Sequence, residues 1–181
     1  MPTPEANFWN TLKRNLPPNC FPTRIENRHG GGIPDVHFTW SGLMFWMELK
    51  TTKNNAVKLS PQQIAWNTAY SAKSGLNFIL VKHLPSSDLI LFRGSRAVDL
   101  ARSGLASGGG FRASGHQAMW NQVRESGISH LESVLEQLRG SGVGDSGSGF
   151  GGLAQGQLGT GAPVLGLQQP RLEAKEEVSI D

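Results

Sequence analysis

The sequence predicts an α/β protein: a mixed β-sheet flanked by helices, in the order α-β-β-β-α-β-β-α. Three observations predict it. A cap followed by proline, the signature of a helix start, stands at Thr3-Pro4 and again at Ser60-Pro61. Short apolar runs, closed by Gly, Pro or Ser, read as strands around the second of these helices. Eleven of the fourteen aromatic residues lie at or before Phe92, whereas seventeen of the 23 glycines fall between residues 103 and 166. The packed core is therefore expected to end near residue 104.

The first helix follows Thr3, with Phe8, Trp9, Leu12 and Leu16 on its apolar face, and Pro17-Pro18 stops it. A short strand is expected around Cys20–Glu26, before the loop 27–34 with its three consecutive glycines. Asp35–Trp40 and Leu43–Lys50 read as two strands of a hairpin joined at Ser41-Gly42. The second helix runs from Pro61 to about Lys73 and is closed by Gly75. Leu76–Lys82 and Leu89–Arg93 are two further strands, and Ser95–Arg102 is a short helix. These elements make up the expected core, residues 1–104. Residues 105–139 are expected to be an accessory segment whose helix begins at a capping box, Ser129 with Glu132, and carries Leu131, Val134, Leu135 and Leu138. Residues 140–181 read as a flexible Gly/Ser/Gln-rich tail.

Composition excludes several classes of function. Cys20 is the only cysteine, so neither a disulfide framework nor a Cys-rich zinc site is expected, which fits a reducing cytoplasm. Met-Pro-Thr-Pro-Glu does not read as a secretory signal. Nothing approaches eighteen consecutive apolar residues, so no membrane partner is expected and the protein reads as soluble and cytoplasmic. No Walker motif occurs, which argues against a nucleotide cofactor. The formal charge of +3 is unevenly spread: residues 1–104 carry twelve Lys/Arg against six Asp/Glu, and residues 105–181 carry five against eight. A basic first half suits a polyanion, although ordinary surface charge would look the same.

The hairpin holds the chemistry. With a two-residue turn, Asp35 sits opposite Glu48 on the same face, Cβ atoms about 5 Å apart. Two facing carboxylates repel, and a divalent cation held by oxygen ligands on adjacent strands removes that penalty. Lys50 points to the same side as Glu48. Because the strand is otherwise apolar on both faces, Glu48 and Lys50 are charges placed where charge is costly. A plain salt bridge at a strand end is the other reading of that pair. Glu5 lies on the apolar side of the first helix and reads either as a site carboxylate or as an acid stabilised in a first helical turn. Arg24, Arg28 and His29 before the glycine loop, with Lys53 and Lys58 after the second hairpin strand, are weaker candidates for phosphate contacts. The glycine loop itself could let backbone approach a duplex closely.

These residues resemble the PD-(D/E)XK nuclease superfamily. The match consists of Gly32-Ile33-Pro34-Asp35, then Glu48-Leu49-Lys50 after a short hairpin. Leu59-Ser60-Pro61-Gln62-Gln63, opening a helix that contains Trp66, is similar to the Gln-bearing helix of the VRR-NUC and phage Holliday-junction-resolvase-like branch. The resemblance covers residues 3–102. It implies a restriction-endonuclease-like fold and Mg²⁺, for which Mn²⁺ could substitute, held by Asp35, Glu48 and the Leu49 carbonyl. It also implies that Lys50 orients the attacking water and stabilises charge on the phosphate. Glu5 would match the acid on the family's first helix, and Gln63 the glutamine that supports the site. The implied activity is a phage-encoded endonuclease on recombining or branched DNA such as a Holliday junction, working as a homodimer. General DNA processing or host-DNA degradation is an alternative, as is a non-catalytic DNA-binding accessory protein on the same fold.

Other signals are set aside. Gly147-Ser148-Gly149-Phe150-Gly151-Gly152 satisfies a dinucleotide-binding pattern but follows no strand. His37, Cys20, Trp66 and Tyr70 read as packing residues.

Overall fold

The computed structural model describes residues 2–25 and 31–141. It is an α/β fold built on one six-stranded mixed sheet flanked by helices. The elements are α1 (Pro4–Arg14), β1 (Phe21–Arg24), β2 (Val36–Trp40), β3 (Leu43–Thr52), α2 (Pro61–Ala72), β4 (Asn77–His83), β5 (Leu89–Arg93), α3 (Ala97–Ser103), β6 (Phe111–Ala113) and α4 (His116–Ser141). The strands lie side by side in chain order, every pair antiparallel except β3 with β4. That one parallel step needs a crossover, which α2 provides.

Local chemistry starts both helices where the sequence expects them. The Thr3 side chain accepts from the Ala6 amide, and Ser60 accepts from the Gln63 amide while the Gln63 side chain accepts in return from the Ser60 amide. Ser41 and Gly42 both have positive φ, 51° and 79°, so the hairpin turn has two residues, as a tight turn of this twist requires.

Side chains alternate between two faces of the sheet. On one face Val36, Phe38, Phe45, Met47, Phe78 and Leu80 pack against Phe8 and Leu12 of α1 and Met119, Trp120 and Val123 of α4. On the other, Ile79, Val81, Ile90 and Phe92 pack against Val57, Ala97 and Leu100, with Ile64 of α2 beside them.

The core runs well past residue 104. β6 pairs with β5, and α4 is one continuous helix of 26 residues instead of a short one. Ser129 and Glu132 therefore lie inside a helix and do not cap one. Trp120 is buried, meets Phe38 and Trp40 edge-on, and donates its indole N–H to the Asn15 carbonyl at 2.8 Å. Gly104, at the expected end of the core, is a packing residue. Gly104 has φ +60°, and a Cβ there would stand 2.0 Å from the Asn55 carbonyl oxygen. The expected tail beyond residue 141 lies outside the described residues, as does the 147–152 glycine pattern. Among the described residues no helix is long and apolar enough to cross a membrane.

Candidate active site

β2 begins only at Val36, whereas antiparallel β3 continues five residues past Met47, the partner of Val36, so the sheet has a step at the edge of β3. Asp35 stands at that step. Its main-chain carbonyl accepts from Ile25, and its carboxylate accepts the Leu49 amide at 2.8 Å. In extended backbone the N–H and C=O of one residue point to the same side. The Leu49 carbonyl is therefore turned toward the same step as Asp35.

Glu48 sits on central strand β3, 1% exposed, beside Ile79 of β4. Its Oε1 accepts from Lys50 Nζ at 2.9 Å and from the Gln63 side-chain amide. Its other oxygen, Oε2, is buried without a hydrogen-bond partner. Burial, then the charge of Asp35, pushes the Glu48 carboxyl up to about 7, against the opposing pull of Lys50. Asp35 is also raised, by burial first; the Leu49 amide, Lys50 and Arg24 pull it back. The charge of Asp35 thus makes Glu48 costlier to ionise, and that of Glu5 does the same to Asp35.

The remaining residues converge on this pair. Glu5, on α1, reaches β3 by accepting from the Thr51 hydroxyl at 3.0 Å. Arg24 lies over the Trp9 ring, 5.8 Å from its centroid. Glu5, Trp9, Arg24, Asp35, Glu48, Leu49, Lys50 and Gln63 together line a cavity of about 100 Å³. A larger cavity of about 420 Å³ adjoins it, sharing Glu5 and Lys50, and has Lys53 and Lys58 in its wall. The loop bearing these lysines is braced through Asn55, which binds the Ser103 carbonyl and the Ala106 amide, both at 2.8 Å. Arg28 and His29 lie outside the described residues. Gly32 packs onto α2, where a Cβ would come within 2.4 Å of the Gln62 carbonyl oxygen. Its lack of a side chain thus serves the fold.

Gln63 is held in place by residues that the sequence did not single out. The buried Asn67 donates to the Gln63 carbonyl at 2.9 Å, and the buried Asn77 of β4 donates to the Asn67 side chain at 2.9 Å. Asn67 falls one helical turn after Gln63, the only hint available beforehand. His37 meets Trp46 edge-on at 5.0 Å, and Trp66 stacks on Tyr70 at 4.7 Å, all half-buried. Burial pushes the Cys20 thiol up to about 11, which disfavours the thiolate.

Among the described residues no group of three or more His, Cys, Asp or Glu side chains is gathered for a metal. Two carboxylates and a main-chain carbonyl remain, one carboxylate oxygen buried and unsatisfied. Magnesium suits such a set, because it keeps several of its waters and takes only one or two carboxylates from a protein. Zinc, which prefers four N or S ligands, does not suit it.

No family model matches the chain, and no curated protein matches it.

Proposed function

We propose that this chain is a metal-dependent endonuclease that hydrolyses DNA phosphodiester bonds. The observation that carries the reading is the convergence of Asp35, Glu48 and Lys50, with Glu48 Oε2 left buried and without a partner. A strand-end salt bridge alone explains neither the orphaned oxygen nor the second carboxylate beside it.

Asp35, Glu48 and the Leu49 carbonyl would hold Mg²⁺, with Mn²⁺ as a substitute. The bound ion would supply Lewis-acid polarisation of the phosphate and lower the pKa of an attacking water. Gln63 fixes Glu48 through Oε1, which leaves Oε2 for the cation. Lys50 lies where its ammonium group can turn from Glu48 toward a phosphate oxygen and stabilise developing charge. Glu5, tied to Thr51, closes one wall and would add negative charge near a bound cation. Lys53 and Lys58 line the adjoining cavity, where the flanking phosphates of the strand need cationic partners. The resemblance to the PD-(D/E)XK superfamily favours a branched or recombining substrate and a phage setting.

One observation favours a second reading, a DNA-binding accessory protein without catalysis: Lys50 already neutralises Glu48 at 2.9 Å. A single experiment separates the two. Purified protein is incubated with linear, flapped and four-way DNA, with Mg²⁺, Mn²⁺ or EDTA, beside the Asp35→Asn variant. Metal-dependent cutting that Asp35→Asn abolishes supports the nuclease. DNA that is bound yet left intact under every metal condition rules it out.

A further inference from the structure

Helix α4 does two things along its length. Its first half enters the core through Met119, Trp120 and Val123. Further on, the line facing the domain continues through His130, whose ring meets the Ser74 carbonyl at 3.0 Å and Arg93 at 3.3 Å. About 100° around the helix from that line, a second apolar row faces outward: Ile128, Leu131, Leu135 and Leu138, 45%, 48%, 51% and 63% exposed. Large aliphatic side chains in a row on one helix mark an interaction surface.

The spacing identifies the occupant. Steps of three, four and three residues make a coiled-coil seam. That spacing reads the same in both directions, so the row complements itself when a second copy runs antiparallel. Leu131 then meets Leu135 of the partner, and Ile128 meets Leu138 of the partner, each contact occurring twice about a two-fold axis. Glu125, Glu132 and Arg139 flank the seam at heptad spacing. In the same register Arg139 faces Glu125 of the partner twice, while the two Glu132 side chains meet once near the axis. Two attractions outweigh one repulsion.

We propose that this face of α4 is a self-association surface, on which α4 of a second copy of the chain docks antiparallel. Four half-exposed side chains per copy fall short of the about 1,200 Å² of a standard interface, so the dimer is a weak one that forms with rising concentration. Nothing in the association depends on the proposed activity.

Sedimentation of the full chain from low micromolar to near-millimolar concentration tests it. A monomer–dimer equilibrium is expected. Leu131→Glu and Leu135→Glu should each weaken it at least tenfold with an unchanged thermal melt, because both positions are exposed. Glu132→Gln should tighten it several-fold by removing the axial repulsion. In a Cys20→Ser background, Leu131→Cys chains should cross-link to Leu135→Cys chains. A full chain that stays monomeric at every concentration overturns the proposal, as it would if α4 were covered by another part of the same chain. A dimer that survives both glutamate variants overturns it too, as does Leu131→Cys linking to itself in preference to Leu135→Cys.

Discussion

Glu48 is the residue on which the proposed chemistry turns, and its environment makes its behaviour testable without substrate. Its carboxyl titrates near 7 in the folded protein against 4.5 when unperturbed. A raised folded pKa means the folded state binds the extra proton. The resulting stability is fully present below about 4.5 and is lost as pH rises through about 7. The span corresponds to roughly 3 kcal/mol. Glu48→Gln should therefore gain stability relative to the parent protein between pH 5 and pH 8, which melting curves at the two pH values will show. An unchanged difference would mean that Glu48 is not the buried acid described. In the proposed cleavage reaction the sign is reversed, because a bound cation would need the ionised form. The rate should fall in acid, and more Mg²⁺ should move that limb to lower pH, since proton and metal compete for one oxygen. Lys50→Ala should lower the rate about 10²–10³-fold, the usual loss on removing a charge-stabilising donor. It should also shift the acid limb upward, because Lys50 holds the Glu48 pKa down.

At the scale of elements, the site depends on how α2 is clamped to β4. Helix α2 buries only Asn67 completely, so its docking rests heavily on polar contacts. Asn77 donates to Asn67 and accepts from the Ser71 hydroxyl at 2.7 Å, tying α2 to the strand beside β3. Asn67→Ala removes the acceptor and leaves the Asn77 amide short of a partner in the interior, at a cost of about 1–3 kcal/mol. A melting temperature lower by several degrees is expected, together with a loss of rate close to that of Gln63→Ala. If only the melting temperature falls, the network supports the fold and does not position Gln63. Ser60→Ala, which removes one half of the capping box, should cost about 1 kcal/mol.

For the whole molecule the decisive feature is how far the core extends. A chain ending at residue 104 lacks β6 and the buried Met119, Trp120 and Val123, and is expected to show no cooperative melt. A chain ending at residue 143, the limit of the first compact unit, should melt like the full protein. Trp120→Ala alone should cost about 3–5 kcal/mol, since the ring fills the space between Phe38 and Trp40 and its N–H is satisfied. A mild effect would mean that α4 is only appended to the domain. Trp120 belongs to the minority of aromatics beyond Phe92, and counting aromatics therefore ended the core too early.

What the sequence determined by itself is whatever short-range rules govern: the capped starts of α1 and α2, the two-residue turn at Ser41-Gly42, and the alternation that carries Glu48 and Lys50 to one face of β3. Those features brought Asp35, Glu48 and Lys50 together before any packing was known. Tertiary structure decided the rest. It bound Glu5 to Thr51 and Gln63 to Glu48, left one carboxylate oxygen without a partner, and drew residues 105–141 into the domain. The division has a physical cause. A turn or a strand face is set by neighbours a few bonds away, whereas the meaning of a glycine or a buried acid depends on which distant atoms arrive beside it. For Gly104 those atoms were the backbone of Asn55, and for Glu48 they were the side-chain amide of Gln63.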